Sequence, residues 1–266
     1  MANATHRLTE LLTQAPVSLD RVMATVASVA PDPPEEAEVV AQLDQLAHQL
    51  SDDLAAAARE KTIESVLAYV YGQLGFVGDT NDYYNPDNSL VHRVLTRRRG
   101  LPLTLAMVGS EIARRVGMRL SVVGLPGHVL LGDGPQPERW FDPFAGGAEL
   151  DLEGCRQLFG RFHPIESFNP AMTEPIDAMV STIRMLGNLK LSYRNLGDLS
   201  QLVKVLELSC ALPGSPVTER LELAGALAAL GRDDQAAEQR RLLIGLDPAR
   251  ADAHRAAAAR HQARRN

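Results

Sequence analysis

The fold is decided by the stretch RRRGLPLTLAMVGSEIARRVG, residues 97–117. Gly100 is suited to end one helix, and Pro102 is suited to begin the next, because a proline at the first helical position loses no hydrogen bond. Apolar side chains then recur at helical spacing as far as Gly117, where a second glycine can end the segment. The stretch therefore predicts a buried helix from Pro102 to about Val116.

The chain before this stretch also has helical periodicity. Residues 6–30, 35–54 and 62–74 each place apolar side chains three or four positions apart, and a proline-rich segment separates the first two. A polar, turn-rich loop at 79–89 follows and offers N-caps for a short helix over 90–98. Loops of this length in a compact domain are usually functional.

After Gly117 the periodicity changes to that of strands. Short runs at 120–123, 127–131 and 139–141 are β-branched or aromatic and are bounded by glycine and proline, which predicts three strands. If the last two form a hairpin centred on Pro135, His128 and Asp142 lie directly opposite each other, with Cβ atoms about 5 Å apart. Such a pair orients the imidazole in nucleophilic catalysis, or it is a buried hydrogen bond that holds a sheet edge.

From about Asp177 the sequence is helical again and contains a weak repeat. The pair Leu196-Gly197 recurs as Leu230-Gly231 after 34 residues, which is the tetratricopeptide period. Two such units cannot bury their apolar face alone, so we expect them to lean on the preceding domain.

Composition limits the class of protein. The chain has 266 residues, 45% of them hydrophobic, and a formal net charge of -6, which disfavours a protein that coats nucleic acid. No run of 18 or more apolar residues is present, so we expect no membrane span. The two cysteines have neither disulfide-framework nor zinc-site spacing, which favours a reduced, cytoplasmic setting.

Four blocks in this order resemble the bacterial SirB family, and a related core occurs in an F-box protein. The blocks are residues 85–89, 97–105, 125–128 and 142–147, and the similarity extends over roughly 45–250. The resemblance implies an α+β fold with a papain/transglutaminase-like core and a small antiparallel sheet, followed by α-helical tetratricopeptide-like repeats. We accordingly expect a helical lead at 1–45, a transglutaminase-like domain at 46–172 and a helical region at 173–266.

The sequence departs from a catalytic transglutaminase at the nucleophile. The position of the family's cysteine falls on or beside Pro102, and no cysteine lies between Met1 and Gly154. Thr104 is a weak substitute candidate, because its hydroxyl would need to lie within about 3 Å of His128. The candidate catalytic residues are therefore His128 and Asp142, as a vestigial or orienting pair, together with Thr104.

Four further residues are candidates for binding. Arg97 and Arg99 lie beside the expected cleft, where they can bind a phosphate or an acidic peptide or can simply complement a helix dipole. Asn88 belongs to the resembling blocks, and Trp140 lies on the Asp142 side of its strand, where it can line a peptide groove or pack in the sheet. No cofactor and no metal site is expected, since His92, His128 and Asp142 lack metal-ligand spacing.

These observations predict a non-catalytic transglutaminase-like protein that binds a protein or peptide partner or has a regulatory role. The alternative is a hydrolase or acyl-transfer enzyme that uses His128 and Asp142 with a non-cysteine nucleophile or an activated water. The sequence identifies neither the partner nor the oligomeric state.

Overall fold

Helix α6 (Pro102–Arg115) is the centre of the computed structural model, which describes residues 1–264. Pro102 occupies the first helical turn and Leu101 the N-cap position, as the sequence predicts. Apolar residues along the helix, such as Leu105 and Ile112, are fully buried. Helices that precede and follow α6 in the chain pack around it together with four strands, so it forms the middle of the core.

The N-terminal helices are part of this core. The predicted helix over 6–30 is instead two helices, α1 (Ala2–Thr13) and α2 (Leu19–Ala27), because Pro16 interrupts the hydrogen-bond ladder between them. Helix α3 (Glu36–Ala56) begins with a capping box in which Glu35 and Glu38 exchange side-chain and backbone hydrogen bonds. Side chains from all three helices belong to the same hydrophobic cluster as those of α6.

The next segments lead the chain to α6. Helix α4 (Ile63–Leu67) continues into a π-helical turn at Ala68–Gln73. Strand β1 (Val77–Gly78) pairs in parallel with β2 (Arg99–Gly100), and helix α5 (Val91–Arg97) lies between them in the chain. The two strands were not predicted, because two residues are too few to give a periodic signal.

A four-stranded antiparallel sheet follows, in the order β3-β4-β5-β6. It comprises β3 (Ser121–Val123), β4 (Leu130–Gly132), β5 (Trp140–Asp142) and β6 (Ala148–Leu150). The predicted strands are present, whereas β6 was missed because it is short and mostly exposed. One face of β5 packs Phe141 into the main core, and the other packs Trp140 into a second, smaller cluster with Cys155 and Phe159.

The rest of the described chain is helical. Its helices are α7 (Leu152–Phe162), α8 (Ala178–Leu196), α9 (Leu199–Ala211), α10 (Val217–Ala229), α11 (Asp233–Leu246) and α12 (Ala251–Ala263). From α8 onward each helix packs against the next, and α8 also packs against α2 and α6. Within residues 1–264, no helix has both the length and the apolar composition that crossing a membrane requires.

Candidate functional site

His128 and Asp142 are in direct contact. The Nε2 atom of His128 lies 2.9 Å from Oδ1 of Asp142, and both side chains are buried. The predicted centre of the hairpin is wrong by one position, because Leu131 pairs with Phe141 and the hairpin is therefore centred on Gln136 rather than Pro135. His128 instead reaches Asp142 from the loop before β4, where Gly127 adopts a φ of +78°.

The Asp142 carboxylate is fixed by the backbone that follows it. Its Oδ1 atom also accepts hydrogen bonds from the amides of Phe144 and Ala145, at 2.9 and 3.2 Å. Because a carboxylate only accepts hydrogen bonds, the pairing assigns the proton of His128 to Nε2. The other ring nitrogen, Nδ1, has no hydrogen-bond partner within residues 1–264.

Aromatic rings enclose the imidazole. Phe162, the last residue of α7, stacks on His128 with ring centres 5.8 Å apart, and Phe144 meets it edge-on at 6.0 Å. Tyr83 in turn packs edge-on against Phe144. A Cβ atom at Gly127 would lie 2.7 Å from Cβ of Phe162, so the loop can approach the ring this closely only with glycine there.

A cavity of about 190 Å³ lies between His128 and the N-terminus of α6. Its lining residues are Tyr83, Pro102, Leu103, Gly127, His128, Val129, Arg184 and Asn188. The position expected for a nucleophile thus lines the cavity, but it carries the side chains of Pro102 and Leu103.

Neither side-chain hydroxyl of α6, on Thr104 or on Ser110, forms a hydrogen bond with His128. Thr104 is 1% exposed and does not line the cavity, and its Oγ1 atom has no hydrogen-bond partner in the described chain. Ser110, two turns further along α6, donates to the carbonyl of Leu120. Neither hydroxyl is therefore placed for His128 to remove its proton.

The two native cysteines are not suited to act as nucleophiles. Burial raises the pKa of the Cys155 thiol to about 12 and that of Cys210 to about 11. A nucleophilic cysteine requires the opposite shift, because the thiolate is the reactive form.

The candidate binding residues are mostly engaged within the protein. Arg97 donates to Oδ1 of the fully buried Asn88 and to Asp79, at 3.0 and 3.1 Å. The indole N–H of Trp140 donates to the carbonyl of Thr173, and its ring is 6% exposed. Arg99 is exposed and does not line the cavity. Asn88, Arg97 and Trp140 are thus held by hydrogen bonds within the protein, and their binding roles stay predictions.

The Asp79 contacts give a pH-dependent prediction. Burial alone would raise the pKa of the Asp79 carboxyl, but the amides of Asp82 and Asn81 and the charge of Arg97 hold it below its usual value. Because the folded-state pKa is the lower one, the contribution to stability is present above about pH 4 and is lost as the pH falls further. Asp79→Asn should therefore cost about 1 to 3 kcal/mol at pH 7, and this difference should shrink at pH 3.

Urea unfolding of both proteins at the two pH values measures this difference. Asp87→Asn is the matched control, because Asp87 is half exposed and lies 3.8 Å from Arg93; it should cost less than about 1 kcal/mol. An Asp79→Asn cost that is the same at pH 7 and pH 3 would contradict the assignment.

Four residues of the site were missed by sequence reasoning. The sequence places Tyr83 in a polar loop and gives no reason to single out Phe162. Arg184 and Asn188 come from α8, beyond the predicted core, and their spacing of four residues places them on one helix face. That spacing was the available signal, but nothing local showed that this face meets His128.

Metal-ligand geometry is not present in the described part of the chain. Residues 1–264 contain no group of three histidine, cysteine or acidic side chains arranged to hold a metal ion, and the His92, His128 and Asp142 set is not assembled.

Comparison with known proteins identifies related sequences. The sequence model of the family described as the transglutaminase-like superfamily matches residues 37–187. A UPF0162 protein of Xylella fastidiosa is 34% identical over 139 residues, which is 49% of this chain and 48% of the relative. A UPF0162 protein of Pseudomonas aeruginosa is 35% identical over 125 residues, or 47% of this chain and 46% of the relative.

A eukaryotic protein is also similar to part of this chain. F-box only protein 21 of Mus musculus is 29% identical over 140 residues, which is 49% of this chain but 22% of the mouse protein. The chain thus spans about half the length of the bacterial relatives and about a fifth of the mouse one.

Proposed function

Because the chain belongs to the transglutaminase-like superfamily, we propose that it is a non-catalytic member that binds a protein or peptide partner in the cavity beside His128. One observation carries this proposal: the His128–Asp142 pair is in place, while the helix start that faces the same cavity presents Pro102 and Leu103. Neither side chain can attack an acyl group. The cavity therefore combines an imidazole and its carboxylate partner with a helix start that carries no nucleophile.

The alternative is an enzyme of hydrolase or acyl-transfer type in which His128 activates a water molecule. The free Nδ1 atom of His128 favours this alternative, because a general base needs an available lone pair. In that enzyme Asp142 would orient the imidazole.

The two functions differ in what His128→Ala changes. For the binding module, the wild-type chain should incorporate no amine into a glutamine peptide and should hydrolyse no ester faster than His128→Ala does. The variant should also lose about 1 to 3 kcal/mol of stability in urea unfolding, because Asp142 loses a buried donor. Turnover by the wild type that disappears in a fully stable His128→Ala would establish the enzyme instead.

Binding itself can be tested with a displayed random-peptide library selected on the whole chain. Selected peptides should lose affinity for Tyr83→Ala, because Tyr83 lines the cavity, and should keep it for Tyr84→Ala, whose ring is 54% exposed and does not line it. Peptides that bind both variants alike would place binding elsewhere and contradict the proposal.

A cysteine introduced at the start of α6 should show whether His128 acts on that position. Pro102→Cys places a thiol at the start of α6 beside His128, where thiols titrate at about 3.5 to 7.5 instead of about 8.5. We expect iodoacetamide to modify the introduced thiol with a midpoint in that range, and the midpoint should rise by at least about one unit when His128→Ala is added. The native thiols should react slowly in this pH range, because their pKa values are raised to about 12 for Cys155 and about 11 for Cys210.

The alkylation rate of the introduced thiol, measured by mass spectrometry as a function of pH, gives these midpoints. A midpoint of about 8.5 in both proteins, the value of an unperturbed thiol, would show that His128 does not act on this position.

The proposal also includes the domain organisation of the chain and its placement among related families. Sequential packing of α8 to α12 supports a tetratricopeptide-like helical region at 173–266, after a transglutaminase-like domain at 46–172 and a helical lead at 1–45. The shared blocks support placement with the SirB family and its bacterial relatives. We propose that the helical region is a second surface for the partner, as such repeats commonly present a concave face.

A further inference from the structure

Arg184 is a partly buried cation without an acidic partner. Its Nη2 atom donates to the carbonyls of His128 and Leu125, at 2.9 and 3.3 Å. Within the described residues no carboxylate lies at ion-pair distance from Arg184, whereas Arg194 on the same helix pairs with Glu222. Burial lowers the pKa of Arg184, which is the effect expected of a cation whose charge is not balanced.

The unused donors of Arg184 remain available. Its Nε and Nη1 atoms donate to no protein group within residues 1–264. Gly124 leaves room for this end of the side chain, since a Cβ atom there would lie 2.6 Å from Nη1. The Nε–H and Nη1–H groups point to different sides of the guanidinium, so each can donate a single hydrogen bond to an anionic acceptor such as a carboxylate.

The other walls of the cavity also favour an anion. Asn188 lies one turn further along α8 and contributes an amide, and Tyr83 contributes a phenol. The first turn of α6 carries no side-chain cap, so its positive end meets the cavity at Leu103 without a protein acceptor.

No acidic residue lines this cavity. Asp142 does not line the cavity but contacts His128, which does. Its Oδ1 atom accepts hydrogen bonds from the imidazole and from two backbone amides. Of the described residues that line the cavity, Arg184 alone carries a fixed charge.

We propose that this cavity binds a carboxylate of a peptide partner, held between the Arg184 guanidinium and the N-terminal turn of α6. The inference rests on the proposed binding function and adds the chemistry of the ligand. The exposed faces of Tyr83 and Phe162 at the same site give apolar contacts for the residue that carries the carboxylate. A free inorganic phosphate would make no use of these rings, so the site favours a carboxylate that is attached to an organic residue.

Four small probes distinguish the sources of the anion. N-acetylleucine represents a C-terminal carboxylate, and N-acetylglutamic acid α-amide represents an acidic side chain. N-acetylleucine amide is the neutral match of the first probe, and inorganic phosphate is the competing anion. Dissociation constants come from NMR titration of the whole chain at fixed salt, through the His128 ring and the Arg184 side-chain signals.

At least one carboxylate probe should bind about ten times or more tightly than N-acetylleucine amide, as expected for hydrogen bonds to a charged group. Arg184→Gln should remove this discrimination, and Arg184→Lys should keep part of it. Arg194→Gln is the matched control, because it removes a guanidinium of α8 that already has Glu222 as its partner; it should change nothing. If Arg184→Gln does not fold, Asn188→Leu supplies the second test and should weaken the carboxylate probes selectively.

Equal binding of acid and amide, retained discrimination in Arg184→Gln, or phosphate binding tighter than both carboxylates would each overturn the inference. These failures are separate from failure of the proposed function. If neutral library peptides bind in a Tyr83-dependent manner while carboxylates do not, the binding function stands and the carboxylate inference falls. Turnover that depends on His128 would refute the function whatever the probes show.

Discussion

Arg115→Ala should lower the free energy of unfolding by about 3 to 5 kcal/mol, because the buried carboxylates of Asp20 and Glu111 then keep, among the described residues, only the largely exposed Arg114 as an ion-pair partner. The Arg115 guanidinium at the end of α6 contacts Asp20 of α2, Glu111 of α6 and Asp44 of α3. Asp20 and Glu111 are only 4% and 2% exposed, so water cannot replace the lost partner. The interaction joins three helices whose apolar faces already share one core.

Urea unfolding followed by circular dichroism at pH 7 measures this loss. Arg114→Ala is the matched control: Arg114 also contacts Glu111 and Asp20, at 2.8 and 3.6 Å, but its side chain is 59% exposed. It should cost no more than about 1 kcal/mol. Arg115→Met combined with Asp20→Asn and Glu111→Gln should recover much of the stability, because the charges left without a partner in that variant, on Arg114 and Asp44, are exposed to water. Equal losses for Arg115→Ala and Arg114→Ala would contradict the argument.

Gly127→Ala should cost about 2 to 5 kcal/mol and should disturb the His128–Asp142 contact. Part of the loss is the left-handed backbone, since Gly127 has a φ of +78°. The rest is overlap with Phe162, whose Cβ and Cγ atoms would lie 2.7 and 2.8 Å from the new methyl group. The next residue is His128, so any shift of this loop moves the imidazole away from its carboxylate.

Two further variants separate the contributions in urea unfolding. Gly117→Ala has the same kind of backbone, with a φ of +83°, but a Cβ atom there meets nothing within 4 Å. It should cost only the backbone strain, about 1 to 2 kcal/mol. In a Phe162→Gly background, which removes both contacted atoms, the cost of Gly127→Ala should fall to that of Gly117→Ala. An unchanged cost in that background would rule out the overlap as a cause.

The part of the fold that follows from local chemistry could be predicted from the sequence. Helix α6 was predicted because Pro102 and Gly117 mark its ends and apolar periodicity fills the interval. The α+β class, with a small antiparallel sheet, is confirmed. Strand β6 was missed because three mostly exposed residues give neither alternation nor an apolar run.

The site was harder to predict because it depends on contacts between distant segments. The register of the β4–β5 hairpin depends on the turn, and a shift of its centre by one position changes which residues oppose each other. Arg184 reaches the cavity because the chain before α8 is anchored on the sheet, where the amide of Ile176 donates to the carbonyl of Val122. No periodicity within α8 encodes that docking. The predicted functional roles of His128, Asp142 and Thr104 stay predictions.

Helix α8 limits the positions at which this chain can be joined to another in a chimaera. It packs Met185 and Leu189 into the core, supplies Arg184 to the cavity and begins the run of C-terminal helices. A chimaera joined at residue 187, where the family match ends, would split this helix and separate Arg184 from the turns that hold it. The workable crossover point is Gly197, which ends α8 in a left-handed conformation with open space around it. Exchange of the helices beyond that point keeps the cavity residues in place, provided that the new helices replace the α9 side chains that pack in the core and against α1.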